Sequence, residues 1–248
     1  MNINIIPFKT LLKKATLNHS IDNVQMIISS DSIKSKMISS SSDAIAILNV
    51  TNDIIPSVKK TDTLVFNFSE PNTTLVPFLN LIEEGQETQV KIAEEKITLT
   101  TERQKSNIFF CSPHVVSVFE GDSPREDIEY FKETSIDDDF ISDFNKIKKI
   151  GAKFGKIYFG VSNNMLYIET CDKQNRFSNG LKIDICEVEY DDMSMCYDFK
   201  NVVNALSLID SDDFIIKFAY VTEQELGMVA LIKSDESEKY FLMSKTDN

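Results

Sequence analysis

The chain has no tryptophan, only two histidines and four cysteines, and few glycines (seven) or prolines (six). Each shortage removes a class of protein. So little glycine and proline excludes collagen-like and low-complexity chains. Cys111, Cys171, Cys186 and Cys196 are never closer than ten positions and form no CxxC pair, so neither a zinc site nor a disulfide framework is expected. Reduced, mostly buried thiols are the simpler reading. His19 and His114 are isolated, and two lone imidazoles do not make a metal site. There is no GxGxxG, no Walker loop and no HExxH, so no metal and no cofactor is expected. Long apolar runs are missing too. The N-terminal MNINIIPFKTLLKKA holds a run too short to span a bilayer, and its lysines follow that run where a signal peptide needs them before it. The expectation is a soluble intracellular protein, cytoplasmic or, in a eukaryotic or viral setting, nuclear.

Positive charge is also scarce, with 26 Lys and Arg against 39 Asp and Glu and a formal net charge of −13. Taken alone, this argues against a nucleic-acid binder, because phosphate contacts normally supply most of the affinity. The objection lapses if the basic residues gather on one surface and attachment does not depend on affinity. What is abundant is core-forming material: 42% of 248 residues are hydrophobic, enough for one large domain or two ordinary ones.

The chain repeats itself. Residues 63–112 and 194–244 share one grammar: a short β-rich run ending in Phe68 or Phe199, a brief helix, then three alternating runs. The helical spacings match, Leu75, Phe78, Leu79 and Ile82 against Val202, Val203, Leu206 and Ile209. Residues 8–50 and 139–183 both read helix, strand, strand, strand, with Ile157, Phe159 and Val161 alternating before a turn at 162–164 and Leu166 and Ile168 after it. The fold class is therefore α+β, four βαβββ units in tandem pairs with helices on one face of antiparallel sheets. Residues 118–131, with Gly121, Pro124 and several charges, read as a linker. Domains are expected at 1–124 and 125–248.

Two helices present mixed faces. After Pro7, which suits a first turn, Phe8, Leu11, Leu12 and Ala15 form an apolar stripe in a helix to about residue 18, and Lys9, Lys13 and Lys14 point away from it. Over 138–150, Phe140, Ile141, Phe144 and Ile147 share a face, with Lys146, Lys149 and the trailing Lys153 nearly opposite. Either helix alone reads equally well as an ordinary solvated amphipath; their recurrence at equivalent places favours a shared role. The second helix of each half is less basic. Pro77 restricts one to a start near Thr74, and its counterpart offers Lys200, Asn204 and Ser207 on a polar face.

In this arrangement, and in FKTLLKKA, KSKMISSSSDAIAIL and EKYFLMSK, the chain resembles the DNA sliding clamps, the family of proliferating cell nuclear antigen and the tailed-phage clamps. The resemblance covers essentially the whole chain and rests on pattern more than on invariant motif. It implies a non-enzymatic processivity factor: a homo-oligomeric ring, most simply a trimer, that encircles duplex DNA and tethers the replicative polymerase after a clamp loader has placed it. Lysines 9, 13, 14, 146, 149, 153 and 200 would then touch phosphates without reading bases. The acidic exterior would repel stray nucleic acid. The resemblance also implies a partner-peptide pocket using Met37, Ile128, Tyr130, Tyr240, Leu242 and Met243, each of which has core packing as its plain alternative. The family's usual proline near the last strand is replaced here by MSK.

Signals for catalysis are thin. Cys111-Ser112-Pro113-His114 sets a thiol near an imidazole, but sequence neighbours seldom reach the needed geometry and no third group orients them. The runs at Asp137–Asp139, Asp191–Asp192 and 210–213 read as helix caps and turns. Rival readings are an acidic β-rich interaction or virion structural protein, a non-ring processivity factor, and an esterase or protease on Cys111.

Overall fold

The computed structural model describes residues 4–55, 58–59, 62–80, 89–102, 104–125, 128–175, 179–209 and 213–245. Two compact units divide the chain, Met1–Gly121 and Asp122–Asn248. Among the described residues no helix is long and apolar enough to cross a membrane.

The first unit runs α1 (Ile5–Ala15), β1 (Asn23–Ile28), β2 (Ser32–Ile38), β3 (Ala44–Thr51), β4 (Leu64–Ser69), α2 (Pro71–Leu79), β5 (Gln89–Ile92), β6 (Lys96–Thr100) and β7 (Lys105–Phe109). Its strands form two antiparallel sheets, ordered β4-β1-β2-β3 and β5-β6-β7. The leading strand of the second repeat, β4, thus completes the sheet of the first. Half-buried Phe110 packs on the core residues Phe66 and Phe68, its ring stacked at 5.1 Å on that of Phe66, and Phe8 of α1 approaches Phe68 edge-on. Such pairs contribute on the order of 1 kcal/mol beyond their buried area. Helix α1 packs on β2, β3 and α2, while α2 packs on β7.

The second unit repeats the plan in full: β8 (Tyr130–Ser135), α3 (Asp138–Gly151), β9 (Lys156–Ser162), β10 (Met165–Thr170), β11 (Leu181–Glu187), β12 (Met193–Asp198), α4 (Phe199–Leu206), β13 (Phe214–Val221), β14 (Leu226–Lys233) and β15 (Glu238–Met243). Leading strands again cross between repeats, since β12 pairs with β9 and β8 with β13. The sheet β11-β10-β9-β12 carries α3 on β10 and β11, and α4 on β9 and β12. Asn163 and Asn164, at φ 53° and 60°, supply the left-handed pair that a tight β9–β10 hairpin requires.

Several details differ from the sequence reading. α1 stops at Ala15, because Leu17, Asn18 and His19 turn left-handed and Ser20 and Ile21 both donate back to the Thr16 carbonyl. Pro77 does not hold the start of α2 at Thr74. The helix begins at Pro71, whose absent N–H suits the first turn, and Pro77 falls in the last turn, exposed. Phe199 opens α4 instead of closing β12. In β9 both faces are buried, Tyr158 included, so its alternation does not mark a solvent side. Ile82 and residues 210–212 lie outside the described residues.

Candidate nucleic-acid interface

Helix α1 buries Phe8, Leu11, Leu12 and Ala15, the four residues that a 3.6-residue period puts on one face. Lys9, Lys13 and Lys14 on the remaining face are half-buried, as expected for lysine stems lying along a surface. Lys13 and Lys14 also fall in the last turn, where positive charge suits the helix dipole.

Helix α3 buries Phe140, Phe144, Ile147 and Gly151, with Ile141 at its edge. Its start is fixed by Asp137, whose carboxylate accepts the Phe140 N–H at 2.8 Å, and Asp138 and Asp139 fill the first turn. The acidic run therefore has a local structural role at the helix start. Lys146 and Lys149 are exposed on the outer face, and so is Lys148, nearer the edge of the apolar stripe and not among the expected contacts. Lys146 pairs with Asp143 at 2.6 Å. A surface pair of this kind is worth about 0–1 kcal/mol, so a phosphate could draw the ammonium away at little cost.

Beyond the helix, exposed Lys153 lies 4.6 Å over the Phe154 ring. Lys200 is exposed in the first turn of α4, just after Asp198 caps the Asn201 N–H at 3.2 Å. The two helix ends adjoin: Phe199 N–H donates to the Gly155 carbonyl at 3.1 Å, and Gly151 faces the Phe199 ring so closely that a β-carbon would come within 2.3 Å of it. Lys149, Lys153 and Lys200 therefore belong to one neighbourhood. α2 contributes no lysine.

At Cys111-Ser112-Pro113-His114, the thiol is half-buried, and that burial raises its pKa above the ordinary value, against nucleophilic use. His114 is exposed on a short 3₁₀ turn. Among the described residues no three His, Cys, Asp or Glu side chains gather as a metal site would need.

No family model and no curated protein sequence matches the chain. Solved structures do. The PCNA2–PCNA3 complex from Sulfolobus tokodaii superposes with a TM-score of 0.64 at 16% identity, over 98% of either chain. A. fulgidus PCNA with the C-terminal region of FEN-1 bound gives 0.63 at 9% identity, over 97% of each. The DNA polymerase sliding clamp of Bacillus subtilis gives 0.65 at 10%, over 99% of this chain and 64% of the bacterial one. The fold is that of the DNA sliding clamps.

Within this clamp fold, the residues expected at a peptide pocket divide by burial. Met37 on β2 is buried, its sulfur accepting the Gln25 N–H at 3.2 Å. Tyr240 and Leu242 on β15 are buried as well, and Tyr240 donates to Glu238 at 2.9 Å while stacking on Phe214. Ile128, Tyr130 and Met243 keep part of their surface. Burial raises the Tyr130 phenol above its usual pKa, partly offset by a hydrogen bond with Ser123. A further basic grouping not visible in the sequence, Lys153 with Lys156 and Lys173, lines a cleft in the second unit of the clamp fold.

Proposed function

We propose that the protein works as its fold suggests: a non-enzymatic DNA polymerase processivity factor that closes as a homotrimeric ring around duplex DNA and slides. The observation that carries the reading is the set of lysine faces on α1, α3 and α4 in a chain of net charge −13 that has the clamp fold throughout. Lysines contacting backbone phosphates hold any sequence weakly, which is what sliding requires. Ring closure then supplies the persistence that a net negative protein cannot obtain from affinity.

Two sheet edges support self-assembly. Among the described residues β7 ends one sheet and β11 another, and Phe109 on β7 is 63% exposed. Open edges of this kind recruit another strand. Pairing β7 of one copy with β11 of the next makes a head-to-tail contact, which generates a ring when the rotation closes. Partner proteins, the polymerase and a clamp loader among them, would bind through a short apolar-aromatic peptide against Ile128, Tyr130 and Met243, whose surface is part-exposed. The A. fulgidus protein, solved with a FEN-1 C-terminal region bound, is the precedent.

Light scattering or native mass spectrometry tests the assembly. The expected mass is three times the 28.2 kDa subunit. A species that stays monomeric at every concentration, with or without a loader, overturns the proposal and favours an acidic interaction or virion protein.

A further inference from the structure

Where α3 gives way to β9, the chain turns through Lys153, Phe154 and Gly155, and the β10–β11 connection passes alongside with Cys171, Asp172 and Lys173. Between them lies a cleft of about 370 Å³. Lys153, Lys156 and Lys173 line it against one carboxylate, Asp172. In a protein whose carboxylates outnumber its cations by thirteen, a concave site with a three-to-one excess of ammonium over carboxylate stands out.

Two of the lysines are held in place. The Lys173 ammonium sits 3.8 Å over the Tyr158 ring and donates to Ser194 Oγ at 2.7 Å. Lys153 lies over Phe154. Lysines held against aromatic faces have surrendered side-chain freedom before any ligand arrives, so less entropy is lost on binding. The α3 dipole accounts for positive charge at its own C-terminus, but Lys156 opens a strand and Lys173 belongs to a distant connection, and neither serves that helix.

We infer that this cleft is a seat for a phosphate group of a nucleic-acid backbone, a contact separate from the helix faces. A tetrahedral anion that accepts from several donors at once matches a cleft lined by three lysines, and the apolar sides formed by Phe154 and Tyr158 reduce screening of the charge. Lys200 in the first turn of α4, which abuts the α3–β9 turn through the Phe199 to Gly155 hydrogen bond, continues the positive surface away from the cleft. The inference rests on the reading that this protein meets DNA; free phosphate is the other source of the same chemistry.

Lysine acetylation footprinting, read residue by residue by mass spectrometry, separates these possibilities. The full chain is treated alone, with a short blunt duplex, and with inorganic phosphate. The duplex is expected to protect Lys153, Lys156 and Lys173 together with Lys13 and Lys14, but not Lys34 on β2. Protection of Lys13 and Lys14 with an unprotected cleft overturns this inference and leaves DNA binding intact. Protection of none of them overturns both. Cleft protection by inorganic phosphate and not by duplex assigns the site to a free anion and refutes the backbone contact. A Lys156→Gln/Lys173→Gln variant gives an independent reading in salt dependence. The two substitutions empty a seat for one phosphate, and losing one phosphate contact should reduce the affinity drop between 50 and 200 mM salt by about 3.5-fold. An unchanged salt slope contradicts the inference.

Discussion

Gly151 is where the second unit has no room for a methyl group, and Gly151→Ala measures that. The residue ends α3 with φ outside the left-handed region, so alanine suits its backbone and, on propensity alone, should stabilise the helix by up to about 1 kcal/mol. Packing opposes this. An added β-carbon would lie 2.3 Å and 2.9 Å from two carbons of the Phe199 ring and 2.9 Å from Thr170 Oγ1, whereas carbon contacts settle near 3.5–4.0 Å. Relief requires a shift of more than about 1 Å in a buried ring or in the helix end, and overpacking of this kind costs about 1–3 kcal/mol. The net expectation is a loss of about 1–2 kcal/mol, measured as a lower urea midpoint at unchanged m-value. A double-mutant cycle identifies the cause: in a Phe199→Leu background the penalty should fall by at least about 1 kcal/mol, because the nearest atom met by the new methyl group, the ring Cε2 at 2.3 Å, has gone. If Gly151→Ala is neutral or stabilising in the wild type, or costs the same in both backgrounds, the close α3–α4 approach is not the constraint described.

The other predictions concern charge, caps and partner binding. Replacing Lys13, Lys14, Lys146 and Lys149 with alanine should move stability by no more than about 0.5 kcal/mol each, yet lower the slope of log K against log salt by up to about 3.6, read by fluorescence anisotropy on a duplex. Asp137→Ala removes the α3 cap and should cost about 1 kcal/mol in chemical denaturation, while Asp138→Ala, without that bond, should cost less. Ile128→Glu or Met243→Glu should abolish polymerase stimulation while the oligomer mass stays unchanged; stimulation that survives both moves the peptide contact elsewhere.

The helix faces were legible because burial on one side of a helix leaves a periodic trace: Phe8, Leu11, Leu12 and Ala15 are spaced as they are because each touches the core. The repeat was legible for a related reason, since each βαβββ unit must bury the same kind of face. Three things were not. The left-handed turn at Leu17–His19 that stops α1 carries neither glycine nor proline to announce it. The crossing of β4, β8 and β12 into the neighbouring repeat's sheet is a tertiary choice that strand periodicity cannot encode. The lysine cleft joins Lys156 to Lys173 across two strands and a connection, so no local spacing marks it. Tyr158 illustrates the same limit: alternation in β9 predicts a solvent side, but Tyr158 is buried there, with the Lys173 ammonium over its ring.

The most direct test of the central claim is retention on DNA of defined topology. Protein is loaded onto a nicked circle, freed of unbound material by gel filtration, and followed in time before and after a single restriction cut. A ring held by closure is predicted to remain on the circle at salt high enough to suppress phosphate contacts and to leave within seconds to minutes of linearisation, with the four-lysine variant behaving alike once loaded. Equal loss from circular and linear DNA would mean that attachment is not topological, and the sliding-clamp function would be refuted.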